Sequence, residues 1–170
     1  TTIERHVPTR VGSAIDWRAV AGGGGHTCGV RADRTLWCWG TNWSGQLGLG
    51  VASSGHIDPQ LVSSQSTWTS ISAGNEYTCG ARADGTLWCW GTNVTGQLGD
   101  GTRTDSSTPT QVGSDTNWTG VAAGRSSHTC GIKRSGAFFC WGPNGMGQLG
   151  TGGTSNRSRP AQVGVAADWS

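Results

Sequence analysis

The sequence predicts an all-β fold of three four-stranded blades of the propeller type, and three observations carry that prediction. A set of short motifs occurs three times, most of it at a spacing of 51 residues, and self-similarity at such a period marks a repeat architecture. The chain holds 30 Gly and shows no helical apolar periodicity, which favours short strands joined by tight turns. Six cysteines form three pairs, each pair ten residues apart.

The repeat is read from its anchors. HTCG (His26 to Gly29) returns as YTCG (Tyr77 to Gly80) and HTCG (His128 to Gly131). LWCWG (Leu36 to Gly40) returns as LWCWG (Leu87 to Gly91) and FFCWG (Phe138 to Gly142), and GQLG starts at Gly45, Gly96 and Gly147. A Trp with Pro nine residues before it occurs four times, as Pro8/Trp17, Pro59/Trp68, Pro109/Trp118 and Pro160/Trp169. The units are therefore bounded as 17–67, 68–117 and 118–168 within one repeat domain over 1–170. A lead-in with an outer strand covers 1–16, and a further repeat starts at 169–170.

Each unit is expected to supply about four strands. Thr69 to Ser72 form a small-residue strand suited to a crowded propeller centre. Tyr77 to Arg82 and Thr86 to Trp90 flank Ala83-Asp84-Gly85, a hairpin turn with Gly where a positive φ is wanted. Gln111-Val112 after Pro109 make a short outer strand, since proline is tolerated where a ladder N–H can be spared. Pro8 to Val11 are expected to form an outer strand of the same kind, and Asp168-Trp169-Ser170 to begin another first strand.

The hairpin count also places the cysteines. With Arg82 opposite Thr86, three steps back along each strand set Cys79 opposite Cys89, at a non-hydrogen-bonded site where Cα atoms approach to about 4.5 Å. That separation suits a disulfide, and the same count pairs Cys28 with Cys38 and Cys130 with Cys140. Buried free thiols are the alternative; zinc is disfavoured, because C-x9-C without a neighbouring Cys or His pair is not zinc spacing. Disulfides imply an oxidising compartment, extracellular or periplasmic.

Composition narrows the function classes. The formal net charge is +2, with 13% charged residues and Lys133 as the one lysine; no basic stripe exists for nucleic acid. No run approaches the roughly 20 apolar residues of a membrane helix, and the opening residues TTIERHVPTR lack the apolar centre of a signal peptide. No phosphate-loop, nucleophile-elbow or zinc-protease motif occurs, so neither an enzyme nor a cofactor is expected, and no metal site.

Together the anchors (AG…HT, DG, WG, GQLG) resemble the regulator of chromosome condensation (RCC1) repeat over nearly the whole chain, and the cysteines resemble a secreted bacterial variant of that family. The resemblance implies a seven-bladed propeller of four-stranded blades. It also implies functions as different as nucleotide exchange with chromatin docking, β-lactamase inhibition and ultraviolet sensing, so the fold does not give the function. Three blades do not close a ring; the chain is expected to be part of a longer array, or to associate with copies of itself through open blade ends.

Candidate sites follow from where the repeats differ. His26 and His128 share their slot with Tyr77, which points to a structural hydrogen-bonder, and His6 and His56 stand alone. Trp39, Trp90 and Trp141 recur, as do Trp17, Trp68, Trp118 and Trp169, which points to packing between blades. Trp43, Val94 and Met146 occupy the variable loop before GQLG, and Asn75, Glu76 and Arg125 the variable loop before the first cysteine. These six are the candidate partner-binding residues. Asn-x-Ser/Thr sequons start at Asn42, Asn93, Asn117 and Asn156. The leading reading is a non-enzymatic extracellular module that recognises a protein or glycan. The alternatives are a subunit that assembles head to tail and an exchange-factor or chromatin-type domain.

Overall fold

Alternation of Gly-rich turns with short β-branched and aromatic runs gives twelve strands in the computed structural model, which describes residues 6–63, 65 and 67–164. The strands are β1 (Trp17–Gly22), β2 (His26–Arg31), β3 (Leu36–Asn42), β4 (Ser53–Ser63), β5 (Trp68–Ala73), β6 (Tyr77–Arg82), β7 (Leu87–Gly91), β8 (Ser106–Gln111), β9 (Trp118–Ala123), β10 (Thr129–Lys133), β11 (Phe138–Gly142) and β12 (Arg157–Gln162). They form three antiparallel four-stranded sheets, β1–β4, β5–β8 and β9–β12, each a simple meander. No described residue is helical.

Inside each blade the order follows from side-chain size. The first strand β5 touches both β1 and β9, and β2 and β6 pack on the first strand of the following blade; the small residues Ser70, Ser72 and Ala73 allow that approach. The last strands carry Pro59, Pro109 and Pro160 on the free edge. Pro109 sits where the β7–β8 register slips between the pairs Cys89/Thr110 and Gly91/Ser106, so its missing N–H leaves no ladder bond unmade.

The three cysteine pairs lie directly opposite in register and form disulfides Cys28–Cys38, Cys79–Cys89 and Cys130–Cys140, each with Cα atoms 4.1 Å apart. The hairpin turn behaves as its residues dictate. Asp84 Oδ1 accepts from Thr86 N and Thr86 Oγ1 (3.0 and 2.6 Å), and Gly85 takes φ +79°.

The core lies between blades. One cluster joins Cys28, Val30, Leu36, Cys38 and Leu47 of blade 1 to Trp68 and Trp90 of blade 2. A second joins Tyr77, Leu87, Leu98 and Val112 of blade 2 to Trp118 and Trp141 of blade 3. Trp68, Trp90, Trp118 and Trp141 thus pack between blades as expected, whereas Trp17 and Trp39 of blade 1 are half-buried and Trp169 lies outside the described residues.

One expectation fails. Pro8 to Val11 form no strand; they are exposed and irregular, and Thr9 to Val11 lie across a hollow from Trp39 and His56 of blade 1. An outer strand exists only by pairing with a third strand, and no described strand stands beside these residues. The expected strand start at Asp168-Trp169-Ser170 lies outside the described residues.

Candidate binding face

The loop before and through GQLG is built to hold its own backbone. Asn42 Oδ1 accepts from Leu47 N (3.0 Å), and Gln46 Oε1 accepts from Ser44 N (2.9 Å). Asn93 and Gln97 repeat both bonds, as do Asn144 and Gln148. With its turn tied internally, the loop presents the Gln carbonyl to the next blade. Gln46 O accepts from Thr78 Oγ1 (2.8 Å) and Trp90 Nε1 (3.0 Å); Gln97 O accepts from Thr129 Oγ1 (2.8 Å) and Trp141 Nε1 (3.0 Å). The last Gly of GQLG is required here, because a Cβ on Gly48 or Gly99 would lie 2.8 or 2.5 Å from that indole nitrogen.

The His/Tyr slot completes each seam. The Thr78 hydroxyl donates to Gln46 O, so His26 Nε2–H donates to Thr78 Oγ1 (2.8 Å), which leaves His26 Nδ1 bare and without a partner. Protonating Nδ1 would bury an unpaired charge, and burial pushes the imidazole down to about 4. Tyr77 fills the slot in the next blade: its hydroxyl donates to His128 O (2.6 Å) and lies 3.1 Å from Thr129 Oγ1. Burial raises the phenol above its ordinary value. These groups are buried and engaged; none is free for acid–base chemistry on a ligand.

What remains on the surface sorts by edge. The β1–β2 and β3–β4 loops, and their counterparts in the other blades, leave the sheets at one edge, and the tight β2–β3 turns at the other. All six candidate binding residues fall on the first edge. Trp43, Val94 and Met146 sit in the β3–β4, β7–β8 and β11–β12 loops; Asn75 and Glu76 lie in the β5–β6 loop and Arg125 in the β9–β10 loop. Ser44 Oγ donates to Glu76 Oε2 (3.2 Å), and Gly24 N to Asn75 O (3.1 Å), so loops of adjacent blades touch. Trp43 is 72% exposed, Val94 65% and Met146 95%; Trp43 does not cover a neighbouring blade. Nearer the centre a polar hollow of about 470 Å³ is lined by Gly23, Gly74, Asn75, Ala123 and Arg125.

Two features escaped sequence reasoning. The sequon asparagines Asn42 and Asn93 are buried loop caps, a role signalled by their fixed spacing to GQLG. At the opposite edge each blade holds a cation on two aromatic rings: Arg31 on Trp17 and Trp37, Arg82 on Trp68 and Trp88, and Lys133 on Trp118 and Phe139. The recurrence of Arg, Arg and Lys three residues after each first cysteine was its only sequence signal. Among the described residues no cluster of His, Cys, Asp and Glu is arranged to hold a metal ion.

A family model for the regulator of chromosome condensation (RCC1) repeat matches residues 33–81, 84–132 and 135–168, and a second model of that repeat matches 17–46, 68–97 and 118–148. The chain is 31% identical over 163 residues to the probable E3 ubiquitin-protein ligase HERC4 of Rattus norvegicus, covering 92% of this chain and 15% of that protein. It is also 31% identical to the ultraviolet-B receptor UVR8 of Arabidopsis thaliana, covering 92% of this chain and 36% of the receptor. Among solved structures, human WBSCR16 superposes with a TM-score of 0.83 at 24% identity, covering 95% of this chain and 44% of that one. Prp20p of Saccharomyces cerevisiae gives 0.79 at 21%, covering 90% and 39%. These likenesses show the fold; the chain spans less than half of each.

Proposed function

The chain belongs to the RCC1 repeat family, and on that premise we propose that it is a non-enzymatic recognition module of an oxidising, extracellular or periplasmic setting. It takes a protein or glycan partner on the edge where the β1–β2 and β3–β4 type loops emerge. One observation carries this reading: three loops at equivalent positions each present an exposed apolar side chain, Trp43, Val94 or Met146, on a scaffold that buries Trp68, Trp90, Trp118 and Trp141 between blades. Exposed aromatic and Met side chains on rigid loops are the residue types that anchor interfaces. The three disulfides support the compartment. The ligase activity in the name of HERC4 is not carried over, since the match spans 15% of that protein.

The test presents the labelled chain to arrays of extracellular proteins and of glycans, beside a variant with Trp43, Val94 and Met146 all changed to Ser. A binder kept by Arg34→Ala, at the opposite edge, and lost by the triple variant is the expected result. Binding that survives the triple change would overturn the face. Free thiols in the native protein would overturn the compartment and favour the exchange-factor or chromatin-type reading.

A further inference from the structure

The aromatic-bound cations differ between blades in their acidic partner. In blade 1 the Arg31 guanidinium is held by Asp16, with Nε and a terminal nitrogen 2.9 and 2.8 Å from Oδ1. In blade 3 Lys133 Nζ lies 2.9 Å from Asp115 Oδ2. Both acids come from the segment just before the blade's first strand. In blade 2 that segment reads Leu61-Val-Ser-Ser-Gln-Ser-Thr67 and contains no acid. Arg82 makes no ion pair among the described residues, and its Nε is buried without a hydrogen-bond partner. Asp84 directs its Oδ1 to Thr86 instead. Thr67, at the position of Asp16, likewise has a buried and unpartnered hydroxyl. The blade that lacks the acid thus holds two buried polar groups without partners, Arg82 Nε and Thr67 Oγ1, and such groups call for one.

Arg82 lines a cavity of about 540 Å³ between the outer parts of blades 1 and 2, with Ser63, Gln65 and Thr108 on its walls. The Trp68 and Trp88 rings lie 4.6 and 4.1 Å from the guanidinium carbon, and a hydrogen-bonding ligand engages the guanidinium through its N–H edge. That edge matches a carboxylate in shape and charge.

We propose that blade 2 carries a carboxylate-binding site at Arg82, where an external carboxylate takes the place that Asp16 and Asp115 fill in the other blades. Arg82 lies at the opposite edge from Trp43, Val94 and Met146, and the proposal does not depend on those three residues. The ligand is a free small carboxylate or an acidic side chain presented by a peptide. The experiment titrates the full chain calorimetrically with succinate, with acetyl-Gly-Asp-Gly-amide, and with neutral succinamide. Millimolar binding of either acid and none of succinamide is expected, and the tighter of the two acids identifies the source. Arg82→Gln should weaken binding about tenfold or more. Thr67→Asp should fold, melt at a higher temperature than the parent and lose the site, because its own carboxylate fills the slot. Its backbone is already placed for this: Thr67 O accepts from Ala83 N (2.8 Å) as Asp16 O does from Ala32 N (2.7 Å). No acid binding by the parent, equal binding of succinamide, or undiminished binding by Thr67→Asp would overturn the proposal.

Discussion

The seam between blades 1 and 2 and the seam between blades 2 and 3 use one hydrogen-bonding scaffold, closed by a different residue in each. In both, a Gln carbonyl accepts from a Thr hydroxyl and a Trp N–H of the next blade. His26 closes the first and Tyr77 the second. Phenol and imidazole fill the same space and both reach the next blade's Thr, yet only the imidazole can take up a proton between pH 4 and 7. The repeat therefore fixes geometry at this slot and leaves the chemistry of each seam adjustable.

The largest break comes from the shared part. Trp90→Ala removes a fully buried indole and its bond to Gln46 O, and should cost about 3–5 kcal/mol by denaturant titration. Trp141→Ala should match it in the second seam. Trp39→Ala, at the half-buried face of blade 1, should cost about 1–2 kcal/mol. Equal losses at all three positions would show that the seams do not hold the fold.

Acid should separate the seams. His26 is neutral in the fold, with its value lowered to about 4 from an ordinary 6.5, so the unfolded chain binds the extra proton first. The stability that neutral His26 provides is complete above about pH 6.5 and is lost as pH falls toward 4, on the order of 3 kcal/mol in all. His26→Tyr copies the second seam and should flatten the pH dependence of stability over that window. A slope that persists in the variant would assign it to another group. Replacing Cys79 and Cys89 together by Ala should cost a similar or smaller amount, about 3 kcal/mol at most, because the closed loop is short.

Much of this was legible in the sequence because repetition supplies the comparison that a single copy lacks. The register of Cys79 against Cys89 followed from counting back from Ala83-Asp84-Gly85, and the packing role of Trp90 from its recurrence at Trp39 and Trp141. The expected strand at Pro8 to Val11 failed because a motif does not make a strand without a neighbour to pair with. The seam bonds to Gln46 and Gln97 were hidden because a backbone carbonyl has no residue-type signature. Trp37 and Trp88 were passed over because their partners Arg31 and Arg82 lie across the hairpin. Trp43, Val94 and Met146 were singled out because they vary. Variation locates a loop but does not say what touches it.

The smallest effect on stability is expected at those three residues, and it sharpens the contrast between seam and loop face. Trp43→Ser removes as large a side chain as Trp90→Ala, but from a position 72% exposed with no seam bond to break. Its stability should change by no more than about 0.5 kcal/mol, as should that of Met146→Ser. Trp43 and Trp90 would then differ by several kcal/mol for one reason: only Trp90 is covered by another blade. A large loss from Trp43→Ser would mean that this indole supports the fold, and would remove it from the set of residues free to meet a partner.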